Sequence, residues 1–139
     1  MKTLLQIVFF HLLIVPLAGV SQTGKKNASA FQNHAYNPQT VISIEGKITE
    51  IQLVEHKNNK GQGTHIQVQA GTLTYTVLLG PSWFLDKQNI KLKTGDQIAV
   101  TGSKVGTDNL IIAENITLNG KTTTLRDKNG RPEWAGKQK

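Results

Sequence analysis

The chain has 139 residues, enough for one domain, with 16 Lys and Arg against nine Asp and Glu and no cysteine. That composition excludes a disulfide-stapled scaffold, a thiol nucleophile and a cysteine-linked lipid anchor, so the hydrophobic core alone must hold the fold. The positive surplus is uneven: from Val41 to Gly120 seven Lys face seven acidic residues, whereas the last 19 residues carry six basic and two acidic ones.

Met1-Lys2-Thr3 is a short, positively charged start, Leu4 to Val15 is almost wholly apolar, and Pro16 to Ser21 supplies small residues. This is the layout of a secretory signal peptide over 1–21, with cleavage near Ser21. The rival reading is a membrane anchor, but an apolar run of roughly 12 to 17 residues is short for a span. The expected mature protein is exported, periplasmic or secreted, with no membrane span. From Gln22 to Thr40, "QTGKKNASAFQNHAYNPQT" shows no period and predicts a flexible leader.

The stretch "VISIEGKITEIQLVEH" (41–56) alternates as a strand with one change of phase. Ile42, Ile44 and Ile48 share one parity, Ile51 and Leu53 the other. A period-2 strand changes its buried face only through a bulge or sharp bend, so a long first strand shared by two halves of a small barrel is expected, with Gly46 a site for the bend. After the turn cluster "KNNKGQG", residues 64–70 place Ile66, Val68 and Ala70 on one side and His65, Gln67 and Gln69 on the other. Residues 72–79 likewise place Leu73, Tyr75, Val77 and Leu79 inward and Thr72, Thr74 and Thr76 outward.

Gly80-Pro81 ends the third strand, and Pro suits the first turn of a helix. Trp83, Phe84 and Leu85 are too apolar for an exposed loop and predict a short helix. A fourth strand through Ile98 and Val100 and a fifth over 109–118 follow. Three strands, a short helix and two strands make an all-β, five-stranded, OB-fold-like Greek-key barrel over 41–120, with the helix as its bottom plug. In the segment 121–136, Asn129-Gly130 between β-prone pieces predicts a C-terminal β-hairpin extension, with Trp134 folded back onto the barrel and 137–139 a tail. A basic, partner-binding tail is the alternative reading of this segment.

The stretches "LGPSWFL", "LKTGDQIAVTGSKV" and "TLRDKNGRPEWAG" resemble a family of small exported bacterial OB-fold proteins, mostly uncharacterised and sometimes described as nucleic-acid binding. The resemblance runs from about Val41 to Gly136. It implies the fold and a binding module, and it transfers no catalytic residue.

The residues themselves give catalysis thin support: the chain has no Gly-x-Ser-x-Gly elbow, phosphate loop or His-Glu-x-x-His, so no enzyme and no cofactor is expected. His56 and His65 flank the first hairpin loop and can begin a metal site, but such sites need three or four protein ligands. Single-strand nucleic-acid binders of this fold use the outer face of strands two and three and the adjoining loops, with stacking rings and a positive groove. Here that face offers His65, Gln67, Gln69, Thr74 and Thr76, with Lys57, Lys60 and Lys104 in or near the loops and no outward aromatic ring. The favoured expectation is a non-catalytic module that binds an unknown polar ligand or exported protein partner on this face. Single-stranded nucleic acid is the alternative, and metal binding through His56 and His65 the second.

Overall fold

The computed structural model describes residues 35–56 and 61–137. The expected signal peptide, most of the expected leader, Lys57, Lys60 and residues 138–139 lie outside them. Strands β1 (Val41–Glu55), β2 (Gln62–Ala70), β3 (Leu73–Pro81), β4 (Gln97–Val105), β5 (Leu110–Leu118) and β6 (Lys121–Thr124) surround one helix, α1 (Ser82–Lys87). The sheet order is β3-β2-β1-β4-β5-β6, and a parallel pairing of β3 with β5 closes the first five strands into a barrel. The sixth strand lies outside that ring. This is the five-stranded, OB-fold-like barrel with an inserted helix that the sequence predicts.

The change of phase in β1 has its physical cause at Thr49. Residues 41–47 pair with β4, residues 47–55 pair with β2, and the register slips between Ile48 and Glu50. One extra residue there turns Ile48 and Ile51 to the same side, as a bulge must. Gly46 serves the crossing in another way: a Cβ on it would collide with the Gln69 carbonyl, so β1 passes under the end of β2 only with hydrogen at that position. Past Ile51 the strand overhangs the barrel, which leaves Leu53 57% exposed.

Ile48, Ile66, Val68, Val77, Leu79, Ile98, Val100, Ile111, Ala113 and Ile116 fill the barrel. A small barrel filled by its own side chains is a packed core. Phe84 and Leu85 of α1 are buried against this core and Trp83 is half-buried beside it, so the helix is the plug. Leu73 departs from the expected inward setting. It is 48% exposed because it follows the Gly71-Thr72 turn at the rim, where the pairing with Ala70 begins.

The C-terminal segment divides into two parts. Asn119 and Gly120 both have positive φ (52° and 76°), the backbone of a tight hairpin turn, and they fold β6 back along β5. The Asn129-Gly130 turn is also present, but its hairpin is a single bridge, Arg126 to Pro132. Asp127 Oδ1 braces it by accepting from the Asn129 and Arg131 amides, both at 2.9 Å. Leu125 between the two parts is wholly buried in the core. Trp134 returns to the barrel as expected, its ring 5.3 Å from that of Phe84 and 4.8 Å from the Arg126 guanidinium carbon.

Candidate functional site

The register of β2 and β3 sets His65, Gln67 and Gln69 beside Leu78, Thr76 and Thr74, with their side chains outside the barrel. They do not form one uniform surface. Gln67 Nε2 donates to Thr76 Oγ1 at 3.0 Å, and the Thr76 hydroxyl reaches Gln67 Oε1 at 3.2 Å, so these groups bond first to each other. Thr76 is buried despite its outward parity. Its amide donates to the Asn109 carbonyl at 2.8 Å, in the loop joining β4 and β5. Gln69 and Thr74 are exposed and give the face its free hydrogen-bonding surface.

His65 is half-buried and His56 is exposed beside it. The His56 ring packs over Gly63, where a Cβ would stand 3.3 Å from Nε2. Burial first, and the positive charge of His56 second, push the His65 imidazole below its ordinary 6.5. The two histidines are therefore neighbours, as the sequence predicts for residues flanking one hairpin. Among the described residues no group of three or more His, Cys, Asp or Glu stands together to hold a metal ion. Lys57 and Lys60 lie outside the described residues, and Lys104 is half-buried near the end of β4, paired with Ile111.

A second polar cluster on β5 was not anticipated. Arg126 reaches across the parallel seam of the barrel and donates through one nitrogen to the carbonyls of Ala113, Leu79 (3.1 Å) and Leu78 (3.4 Å). Burial pushes its guanidinium down to about 10. Tyr36 donates to Glu114 Oε2 at 2.7 Å, and burial, that bond and the Glu114 charge push its phenol up to about 12. Its ring lies against Gly130 at the hairpin tip, while the Asn37 amide donates to Ser103 Oγ at 3.0 Å. These contacts fasten the end of the expected leader and the C-terminal hairpin to β4 and β5. Nothing in a sequence period signals an arginine bonded to carbonyls.

An open groove of about 460 Å³ runs along β6, lined by Phe84, Gln88, Lys121, Thr122, Thr123, Thr124, Glu133 and Lys137. None of its lining residues belongs to β2 or β3. The signal that marks it in the sequence is Asn119-Gly120, a hairpin dipeptide that builds β6.

Comparison with known proteins gives one family. The model of the MamS/MamX magnetosome protein family matches residues 40–123, from the start of β1 through nearly all of β6. No curated protein matches the chain. The match takes in the whole barrel, its plug and the β2–β3 face, and it stops before Arg126 and Trp134. With more than half of its length matched, the chain belongs to the MamS/MamX magnetosome protein family.

Proposed function

We propose that this protein is an exported, non-catalytic binding module that serves the magnetosome and meets its ligand on the outer face of β2 and β3. The observation that carries the reading is the pairing of exposed Gln69 with exposed Thr74 beside the Gln67–Thr76 pair, an uncharged donor and acceptor surface on a barrel whose interior is full. The family name supplies the magnetosome, and the sequence supplies the exported address. Uncharged amide and hydroxyl groups suit a neutral polar ligand or a protein surface. Single-stranded nucleic acid is disfavoured, since the one aromatic residue on these strands, Tyr75, packs against the core instead of offering a stacking ring.

Photo-crosslinking in magnetosome-forming cells tests this. A benzophenone residue in place of Gln69 should trap a defined partner, and the same residue at exposed Thr94, before β4, should not. Equal labelling from both positions, or none from Gln69, would reject the face.

A further inference from the structure

The outer edge of β6 has no strand beside it among the described residues, yet it is not a bare rim. In a two-residue hairpin the residues flanking the turn, here Leu118 and Lys121, exchange hydrogen bonds, and bonding then alternates along the ladder. Thr122 and Thr124 therefore turn their N–H and C=O groups away from β5. Among the described residues no backbone hydrogen bond outside the β5 ladder involves either of them. The Thr122 hydroxyl is tied across to Thr117 Oγ1 at 2.8 Å, which fixes β6 on β5 without using the edge. The edge forms a wall of the 460 Å³ groove, with Phe84 and Gln88 from the plug region and Glu133 and Lys137 from the returning chain among its other lining residues. Beyond Thr124 the Glu133 amide donates to the Leu125 carbonyl at 3.0 Å, which caps the edge.

The net charge around this groove is positive, two lysines against Glu133. Lys121 and Lys137 line it, and the body of the barrel is neutral, with seven Lys against seven acids. Among the described residues Glu133 and Lys137 pair with each other at 3.8 Å, which leaves Lys121 as the cation of the lining outside that ion pair. A short edge bearing a lysine also resists indiscriminate pairing. The net positive charge disfavours a like-charged strand and suits one of opposite charge.

We propose that the open edge of β6 is a strand-addition site that receives an extended, acidic peptide segment of a protein partner. The main chain of the peptide pairs with Thr122 and Thr124, and its carboxylates face Lys121 and Lys137. Main-chain bonds give affinity and alternate side chains give selectivity, as in other cases of β-augmentation. A nucleic acid cannot satisfy a row of alternating amides and carbonyls in this way.

The probe is a fluorescein-labelled peptide alternating Glu and Val over about ten residues, titrated into the full-length protein and followed by anisotropy. Saturable one-to-one binding is expected, with the matching Lys-Val peptide failing to bind. Thr122→Pro removes an edge-facing N–H and no ladder bond, and it should weaken binding by about tenfold, the scale of one lost hydrogen bond. N-methylation of alternate peptide amides should do the same with the protein unchanged, so the test stands even where Thr122→Pro fails to fold. Lys121→Glu should weaken the acidic peptide and flatten its salt dependence. Equal binding of both peptides, indifference to N-methylation, or self-association through β6 seen by sedimentation would each overturn the proposal. Loss of binding on Gln69→Ala with Thr122→Pro unaffected would place the peptide on the β2–β3 face, overturning this site while sustaining the function proposed above.

Discussion

The surroundings of His65 disfavour its charged form, and this gives the protein a pH dependence of known sign. An unfolded chain protonates this histidine near its ordinary 6.5, whereas the folded chain does so only at lower pH. The unfolded state therefore binds more protons as pH falls below 6.5, and stability is lost on acidification until the folded value is passed. Chemical unfolding between about pH 7 and pH 5 should show this fall, and His65→Gln should flatten it. An unchanged slope in the variant would assign the dependence to other groups. Arg126 gives a second prediction at this scale. Arg126→Met removes charged hydrogen bonds to three carbonyls and a stacking contact with Trp134, and it should cost about 2 kcal/mol or more in a denaturant titration. His65, Gln67, Gln69, Thr74 and Thr76 were legible as outward residues because strand parity decides orientation. The burial of Thr76 and the carbonyl-binding role of Arg126 were not, because both depend on segments distant in sequence.

Among the elements, α1 and β1 were read furthest from the sequence. Three consecutive large apolar residues after Gly-Pro fit neither a loop nor a continued strand, and the opposed parities of Ile48 and Ile51 demand an extra residue between them. Burial places the helix as that argument requires, and the pairing confirms the change of phase but puts its bulge at Thr49 instead of the expected bend at Gly46. Phe84→Ala or Leu85→Ala should destabilise the barrel by about 2 to 5 kcal/mol, as truncations at closed core sites do. Half-buried Trp83 should cost less. Losses below about 0.5 kcal/mol for Phe84 and Leu85 would show that the helix does not seal the core. Reading the C-terminal segment from sequence was harder because two Asn-Gly pairs stand ten residues apart, and composition alone does not rank them. Asn119-Gly120 builds the longer ladder, since it follows β5 directly and its returning arm finds a partner at once.

At the scale of the whole molecule, address and charge can be tested together. Intact-mass measurement on the protein recovered from cells should place its first residue near Gln22, and retention of Met1 to Ser21 would refute cleavage. Of the net charge of +7, +3 comes from Lys2, Lys25 and Lys26 and +4 lies beyond Gly120, where the six basic residues are not equivalent. Arg126 is committed to the barrel seam, and Lys139 lies outside the described residues, which leaves Lys121, Lys128, Arg131 and Lys137 on exposed positions. Removing the extension is no clean experiment, because Leu125 and Trp134 pack with the core and would leave with it. Charge reversal at Lys128 and Arg131, in the hairpin, keeps those contacts. Binding to single-stranded DNA should be weak and non-specific, and each phosphate contact contributes about −0.7 to the slope of log K against log salt. These four exposed cations together contribute at most roughly −3 to the slope, and Lys128→Glu with Arg131→Glu should remove about half of that share. Changing His65, Gln67 and Thr74 to Ala should leave the slope unaltered, because none of them carries a fixed charge to pair with phosphate. Binding that survives near-physiological salt, ignores the reversed charges and collapses in the triple variant would make the β2–β3 face a nucleic-acid site and displace the reading of a neutral, polar one.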